Sequence, residues 1–408
     1  MENYFKKLGY SFAYNMANAI FPVLTLPLVF RSLSQNSYGD FVLANILYQV
    51  INSLFCVSLL QFFIRSYGEV KEQNSEIKAK LCGFFINIQT LSAIASAIIF
   101  TILIIIFYNY FKLNIEVACW FYIPIVSSVI NVEWLYFSTH RYKPLFMRTI
   151  FIKSILFILV LFLIKNNNDL NLYSAIMSVS YAIVNIVGFI YLRNEFIFGR
   201  ILIPDILRYL KRSKQFYFNS LIGIGYQYVD QIILSILLGK SDLAAVNILK
   251  QIGNMLLIIP NTICRFLLPI ALESYKKSEG TAYHIKYDKL FVLCVFLIFL
   301  IFIIFGYSIL KYFVGDLYNF EYQSIMYVAI FFIVVSASVF IDTQYSIPQY
   351  LEKITTYSNV IVLTFLLTSV YFFINKFGYL GTLMCITIAE GCGVFFMILL
   401  HLLKKYKG

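Results

Sequence analysis

Charged residues are scarce in this sequence, and their scarcity excludes a soluble globular protein. Only 13% of the 408 residues are Asp, Glu, Lys or Arg, whereas 61% are hydrophobic and 18% are aromatic. Soluble domains have a charged share of about 25% because they need a hydrated surface. Apolar stretches long enough to cross a bilayer recur along the whole chain instead. The sequence therefore predicts an integral membrane protein.

Motifs for nucleotide, metal or disulfide chemistry are absent from the sequence as well. The GxxxxGK[ST] pattern does not occur, which excludes an exporter that carries its own nucleotide-driven domain. The seven cysteines lie in apolar runs without CxxC spacing or histidine partners, so no zinc site or disulfide framework is predicted. The three histidines, His140, His284 and His401, stand near predicted span ends, where structural roles are favoured over catalysis. We therefore expect no catalytic residues, no bound metal and no cofactor.

Hydropathy predicts about twelve transmembrane helices, six in each half of an all-α protein. The first apolar stretch ends at Arg31 without a small-residue cleavage site, so it is read as a retained span rather than a signal peptide. The predicted spans are 8–30, 38–64, 81–107, 117–139, 149–164 and 170–192 in the first half, and 216–238, 243–272, 289–313, 323–346, 355–374 and 379–402 in the second.

The distribution of Lys and Arg predicts the orientation of these spans. With the N-terminus in the cytoplasm, the cytoplasmic segments hold 23 basic residues and the opposite side holds six. This asymmetry follows the positive-inside rule and places both termini in the cytoplasm. It also accounts for the net charge of +12 without a nucleic-acid partner.

Two similar stretches in the two halves indicate an internal duplication. DFVLANILYQV (40–50) and DLAAVNILKQI (242–252) share five of eleven residues at an offset of 202. Since each half holds an even number of spans, the halves are predicted to be parallel repeats around a central cavity. We divide the chain into lobes 1–195 and 216–408, joined by a cytoplasmic linker at 196–215. That linker is read as an amphipathic helix, with an unstructured basic segment as the alternative.

Polar and basic side chains inside the eighth predicted span form one helical face. They are Asn247, Lys250, Asn254, Asn261 and Arg265, and their spacing of three, four, seven and four residues matches the helical period. Lys153 is a third intramembrane cation, in the fifth span. Because charge in a membrane is costly, such residues normally face a bundle interior or a watery cavity. We read them as a cationic lumen wall for an anionic substrate; the alternative is a packing face whose cations pair with acids on neighbouring spans.

Other polar residues inside the spans suggest further roles. Asn15 and Asn18 in the first span and Asn219 and Tyr226 in the seventh are candidates to line the lumen. Two intramembrane acids, Asp230 and Glu390, are candidates for coupling to a proton or sodium ion. Glu133 and Asp342 occupy matching places in the fourth and tenth spans, in VEWLY and IDTQY. We expect these two carboxylates to form gating ion pairs, with Arg141, Arg148 or Lys353 as partners.

Five segments spread along the chain carry a family resemblance: FPVLTLPLVFRSLSQNSYGDF (21–41), VEWLYFSTHRYK (132–143), VDQIILSILLGKSDLAAVNILKQI (229–252), LLPIALE (267–273) and NKFGYLGTLMCITIAEG (375–391). Together with the twelve predicted spans, they resemble the O-antigen and capsule-unit flippases, the polysaccharide-exporter branch of the multidrug/oligosaccharidyl-lipid/polysaccharide (MOP) transporter superfamily. One departure is Ser34, where such proteins often carry glycine in the first outward turn.

The resemblance implies a flippase that moves oligosaccharide repeat units on undecaprenyl diphosphate across the bacterial inner membrane by alternating access. Its expected partners are the lipid-linked oligosaccharide, the bilayer, a polysaccharide polymerase and a chain-length regulator. The alternative within the superfamily is an ion-coupled exporter of small molecules or drugs, which a cationic lumen disfavours. A membrane polymerase or transferase is least favoured because the predicted outward loops are short and nearly free of acids.

Overall fold

The protein is an all-α membrane protein, as the sequence predicts. We describe it from a computed structural model that covers the backbone of residues 2–70, 72–199, 203–276, 280–315, 318 and 320–407. These residues form helices with short 3-10 and π turns, and no strand. Within the same ranges, eleven helical stretches are long and apolar enough to cross a membrane. The chain divides into two compact units, Met1–Ile224 (unit 1) and Gly225–Gly408 (unit 2).

Unit 1 contains the first six of these helical stretches. Short breaks interrupt the second and the fourth, and the others are continuous. The helices are α1 (Glu2–Ser32), α2 and α3 (Gln35–Asn52 and Ser58–Glu69, joined by a π turn at Ser53–Val57), α4 (Ser75–Phe111), α5, α6 and α7 (Ile115–Trp120, Tyr122–Ser127 and Glu133–Ser138), α8 (Tyr142–Leu163) and α9 (Leu170–Leu192).

Polar residues define the turns between the spans of unit 1. Ser34 caps α2, because its hydroxyl accepts a hydrogen bond from the Ser37 amide at 3.3 Å. Asn114 caps α5 in the same way, through the Val117 amide at 3.3 Å. Lys112 ends α4 in a left-handed conformation, with a φ of 51°. Ser34, the one departure from the family pattern noted above, therefore has a structural reason.

An aromatic cluster forms the core at one end of unit 1. The Phe63 and Phe85 rings stack with centroids 4.0 Å apart, and Trp134 packs edge-on against Phe85 at 5.2 Å. Tyr209 packs edge-on against Phe62 at 4.9 Å. Such aromatic contacts add to the free energy gained by burying the rings themselves. The cluster joins α3, α4 and α7 to Tyr209, which lies in the helix that follows α9.

Helix α10 (Ile203–Leu237) begins with an amphipathic segment and continues directly into the seventh span. In the segment, Tyr209 and Ser213 are buried, whereas Arg208 and Lys211 are exposed. Arg212 pairs with Glu69 of α3 at 2.7 Å. The boundary between the two compact units falls inside α10, at 224/225. The predicted division of the chain at 195 and 215 remains a proposal.

Unit 2 contains the remaining spans. Two of them are interrupted: the eighth has a one-residue break at Leu257, and the tenth ends in a π turn at Asp342–Ser346. Pro260 lies in the first turn after the Leu257 break, where a missing amide proton costs little. The helices are α11 (Lys240–Leu256), α12 (Ile258–Lys276), α13 (Gly280–Val314), α14 (Tyr322–Ile341) and α15 (Glu352–Lys407).

The last helical stretch is a hairpin of two spans. It covers 51 residues, about twice the length needed to cross a membrane once. Gly378 breaks it with a φ of 60° and a ψ of −146°, a conformation that glycine alone adopts readily. A Cβ on Gly381 would lie 2.0 Å from the Phe373 carbonyl oxygen, and Ser369 lies 3.3 Å from Cys385. The halves therefore run antiparallel, and counting them separately gives the twelve predicted spans.

Candidate functional site

The central polar feature of unit 2 is an ion pair between α10 and α11. Lys250 Nζ lies 3.1 Å from Asp230 Oδ2 and 3.2 Å from Asp230 Oδ1. It also donates to the Gln227 carbonyl oxygen at 3.2 Å. The Asp230 side chain is fully buried, and only 16% of the Lys250 side chain is exposed. The predicted substrate-binding cation and one predicted ion-coupling acid are thus direct partners.

The turn between α10 and α11 explains why these two residues meet. Gly239 adopts a φ of 95°, which lets the chain reverse between the end of α10 and the start of α11. A residue of α10 then lies opposite the residue of α11 that is about equally far from Gly239 along the chain. Asn247 accordingly donates to Gln231 Oε1 at 2.9 Å, in the turn of helix beside the ion pair.

Side-chain amides extend the ion pair into a network. Gln231 accepts from Asn247, and Asn247 Oδ1 accepts from Gln251 at 2.6 Å. The Asn247–Gln231 hydrogen bond connects α11 to α10, and the Gln251–Asn247 hydrogen bond fixes the orientation of the Asn247 side chain. Lys250, Asp230 and these amides provide the cation, anion and neutral hydrogen-bonding groups of one intramembrane site.

A small cavity connects this site with the last span. Lys250 lines it together with Leu383, Ile386 and Thr387. Glu390 lies one helical turn farther along the same face of α15 and is 4% exposed. Within the described residues, its Oε1 atom is buried and has no hydrogen-bond partner. The second candidate for ion coupling is therefore a buried carboxyl group on the span that borders Lys250.

The break at Leu257 divides the polar stripe, which the sequence predicts as one face, between two helices. Asn247 and Lys250 lie on α11, before the break, whereas Asn261 and Arg265 lie on α12, after it. Arg265 and Asn254 are exposed on the protein surface, and Asn261 is half-buried. Lys250 is the member of the stripe that joins the ion pair. The assignment of all five residues to substrate binding stays a prediction.

The predicted lumen residues of the first and seventh spans have different surroundings. Asn15 is exposed and donates to the Ser11 carbonyl oxygen at 3.0 Å, whereas Asn18 is half-buried. Tyr226 is half-buried on α10, one turn before Asp230. The side chain of Asn219 lies outside the described part of the chain.

Glu133 lies directly after a break in the fourth span. The helix stops at Asn131, whose carbonyl oxygen accepts from Gln89 Nε2 at 2.7 Å and whose side chain accepts from the Glu133 amide at 3.1 Å. The Glu133 carboxylate accepts a short hydrogen bond from the Tyr14 hydroxyl of α1. Arg141, one of its expected partners, instead pairs with Glu195 at 2.6 Å. Glu133 thus links the break in the fourth span to the first span.

The second expected gating residue, Asp342, opens the π turn that ends the tenth span. It accepts a short hydrogen bond from Thr355, at the start of α15. In both units, therefore, an interrupted span carries an acid that bonds to a hydroxyl on another span. A gating role for either acid remains a prediction.

A polar cluster that the sequence did not reveal surrounds the same π turn. The His284 ring stacks on Tyr345 with centroids 4.0 Å apart, and His284 Nδ1 lies 2.9 Å from Asp288 Oδ1. Tyr283 donates to Gln344 Oε1 at 2.5 Å. Burial, together with the nearby Asp288 carboxylate, raises the pKa of Tyr283, so the phenol remains a donor. The cluster joins α13 to the end of the tenth span.

Lys153 occupies a different environment from Lys250. Its Nζ atom lies 5.2 Å from the centroid of the Phe21 ring, a cation–π contact between α8 and α1. No carboxylate of the described residues lies within 4 Å of Lys153. The side chain lines a groove of about 590 Å³ between α1 and α8.

Arg148 is a second cation of α8, and it packs against an aromatic ring of α7 and a glycine of α9. Its guanidinium carbon lies 5.1 Å from the centroid of the Tyr136 ring, and a Cβ on Gly188 would lie 2.2 Å from one guanidinium nitrogen. The Tyr136 hydroxyl donates to the Gly188 carbonyl oxygen at 3.1 Å. The glycine of α9 thus makes room for the arginine, a contact that only the tertiary structure reveals.

Comparison with known proteins identifies the family. Residues 4–274, more than half of the chain, match the family described as polysaccharide biosynthesis protein. Curated protein sequences gave no match.

Solved structures of transporters share the fold over nearly the whole chain. The lipid II flippase MurJ in an inward closed conformation has a TM-score of 0.64 at 13% identity, covering 95% of this chain and 86% of MurJ. An inward-facing multidrug resistance MATE transporter of the MOP superfamily has a TM-score of 0.68 at 12% identity, covering 95% and 94%. A eukaryotic MATE transporter has a TM-score of 0.54 at 12% identity, covering 98% and 95%. The chain belongs to the polysaccharide biosynthesis protein family and has the fold of the MOP-superfamily transporters.

Proposed function

We propose that this protein is a flippase for oligosaccharide repeat units linked to undecaprenyl diphosphate. It moves them from the cytoplasmic to the periplasmic leaflet of a bacterial inner membrane, where they are built into O-antigen or capsule. The family match, over residues 4–274, supports a role in polysaccharide synthesis. One of the structures that share the fold is a lipid II flippase.

The intramembrane pair of Lys250 and Asp230 is the observation that carries this proposal. A lysine ammonium group binds phosphate oxygens strongly in surroundings of low dielectric constant. Asp230 holds the ammonium group at 3.1 Å, which avoids an uncompensated buried charge. In the proposed cycle, the diphosphate takes the place of Asp230 as the partner of Lys250. Arg265, exposed on α12, is the other cation of the predicted lumen wall.

The same exchange provides a reason for ion coupling. Once Lys250 turns to the substrate, Asp230 is a fully buried carboxylate without its cation. Such a group gains a proton or a metal cation because burial disfavours the bare charge. Glu390 provides a second buried carboxyl group on the neighbouring span. In the proposal, binding of the anionic lipid and uptake of a proton or sodium ion are therefore linked.

The proposal includes the arrangement predicted from the sequence. Two parallel six-helix lobes alternate access to a central cavity, and both termini lie in the cytoplasm. Polar residues of the first and seventh spans contact the sugars. A polymerase and a chain-length regulator use the delivered repeat units.

Substitution of the two cations tests the proposal in cells. Lys250→Ala and Arg265→Ala are expected to abolish display of the surface polysaccharide while the protein stays in the membrane. Lys376→Ala is the matched control, because Lys376 lies near Gly378 at the hairpin turn and its cation–π contacts within the described part of the chain are with the Phe372 and Phe377 rings, at 5.8 and 5.3 Å. Normal display in both test variants would refute a role for this cationic site in transport.

The alternative, an ion-coupled exporter of small molecules, is favoured by one observation. Glu390 is a buried acid whose Oε1 atom has no partner among the described residues, which also suits recognition of a cationic compound. A strain that lacks the gene distinguishes the two functions. An unchanged pool of lipid-linked oligosaccharide, together with altered drug susceptibility, would favour the exporter.

A further inference from the structure

The groove between α1 and α8 is apolar except at one point. It extends from Phe12 to Leu24 along α1, and Lys153 and Ser154 provide its polar side chains. Phe12 and Leu24 are about half exposed. Its volume of about 590 Å³ is within the range of about 300–1,000 Å³ that is typical of ligand pockets. A groove with these features suits a ligand with a long apolar part and one anionic group.

Lys153 provides the charge complementarity for such a ligand. It is the twelfth of the 22 residues of α8, so it lies near the middle of that span. Lys250 has a carboxylate partner, but Lys153 has none within 4 Å among the described residues. Its Phe21 contact offers only a weak substitute for an anion. Glu133 acts on Lys153 electrostatically from beyond ion-pair distance, so it leaves the ammonium group free to contact a second anion. Because charge in a membrane is costly, we expect Lys153 to meet such an anion at some stage of the protein's cycle.

The dimensions of the groove suit a chain that lies along the span. Twelve residues separate Phe12 from Leu24, so the groove follows α1 for about 18 Å, more than half of a hydrocarbon core of about 30 Å. An extended isoprenoid chain fills such a length, and a rigid sugar unit would leave the apolar walls without contacts. The lining therefore favours the lipid part of the substrate over its glycan.

We infer that this groove binds the carrier lipid: the isoprenoid segment next to the phosphate lies between α1 and α8, and a phosphate oxygen contacts Lys153. The inference rests on the proposed function and adds a subsite to it. Lys250 is proposed above to bind the phosphates of the same lipid, so the phosphate contacts Lys153 and Lys250 at different stages of the cycle. The groove thus recognises the part of the substrate that is the same for every glycan.

Binding of undecaprenyl phosphate to the purified full-length protein tests the inference. Lys153→Met is expected to weaken this binding roughly tenfold to a hundredfold, the loss typical of one charge-assisted hydrogen bond, and Lys153→Arg is expected to preserve it. Undecaprenol, which lacks the phosphate, is expected to bind the native protein as weakly as undecaprenyl phosphate binds Lys153→Met. Equal affinity of the native protein and Lys153→Met for undecaprenyl phosphate would overturn the inference.

Two isoleucines of α8 provide a matched steric test. Ile158 lines the groove and is 50% exposed, whereas Ile155 is 43% exposed but does not line it. Ile158→Trp is expected to block binding, and Ile155→Trp is expected to leave it unchanged. Binding that is equal in the two variants would contradict the groove as the binding site. Equal competition by phosphatidylglycerol would assign the groove to a membrane phospholipid and overturn its assignment to the carrier.

Lipid analysis separates a failure of this inference from a failure of the proposed function. If a strain without the gene accumulates the lipid-linked repeat unit but Lys153→Met and Ile158→Trp bind and display normally, the groove assignment is wrong and the flippase function stands. If the strain accumulates nothing, the proposed function itself fails.

Discussion

Substitution of Lys250 and substitution of Asp230 are expected to lower the free energy of unfolding by different amounts. Lys250→Met leaves a fully buried carboxylate without its cation. Asp230→Asn leaves a lysine that is 16% exposed and can turn toward the adjoining cavity. We therefore expect Lys250→Met to be the more destabilising single change, and the Asp230→Asn/Lys250→Met double variant to recover much of the loss.

The geometry of the pair sets the size of the effect. Two unit charges 3.1 Å apart attract each other by roughly 5 kcal/mol at an effective dielectric constant of about 20. Removal of one partner from a buried pair usually costs about 3–5 kcal/mol. Lys250→Met is expected to lie in this range. The double variant is expected to lose about 3 kcal/mol less than the sum of the two single changes.

Unfolding in mixed detergent micelles measures these free energies for all four proteins of the cycle. Lys376→Met serves as the control and is expected to change the free energy of unfolding by about 0.5 kcal/mol or less. The reasoning fails if the two single changes are additive in the double variant, because the residues would then not interact. It also fails if Asp230→Asn is more destabilising than Lys250→Met.

Two further predictions concern the last two spans. Gly378→Ala is expected to lower the free energy of unfolding by about 1–3 kcal/mol, because alanine disfavours the backbone conformation of the hairpin turn. Gly391→Ala, where an added Cβ meets no atom within 4 Å, is the control and is expected to be neutral or slightly stabilising in the same titration. Glu390→Gln is expected to preserve folding but to abolish the dependence of transport on the ion gradient, measured as uptake into vesicles with and without that gradient. Unaltered gradient dependence would exclude Glu390 from coupling.

Much of the fold could be predicted from the sequence because each membrane span is a continuous run of apolar residues, which can be recognised without knowing what it packs against. The hairpin at the end of the chain is an example. The prediction ended one span at 374 and began the next at 379, and the structure turns at Gly378. By contrast, the break in the eighth span does not coincide with its proline, because the helix is interrupted at Leu257 and Pro260 follows three residues later. The proline sits in the first turn of α12, where it is tolerated.

The partners of the intramembrane charges could not be predicted, because they depend on how each helix is rotated against its neighbours. Lys250 was expected to bind substrate or, as the alternative, to pair with an acid on a neighbouring span, and Asp230 was selected separately for ion coupling. The structure shows the two paired, and the spacing of residues did not specify Asp230 as the partner. Glu133 was expected beside a basic residue, and its hydrogen-bond donor is Tyr14, which is 119 residues away in the chain. Sequence spacing identifies the face of a helix, but only packing decides which residue lies opposite.

The central claim is that this protein moves a lipid-linked oligosaccharide from one leaflet to the other. The most direct test reconstitutes the purified protein in vesicles that carry undecaprenyl-diphosphate-linked repeat units and follows the fraction that an added glycosidase can reach from outside. The account predicts that native protein makes the protected fraction accessible with time, and that Lys250→Ala and Arg265→Ala protein does not. Equal accessibility in vesicles with native protein and in vesicles without protein would contradict the account.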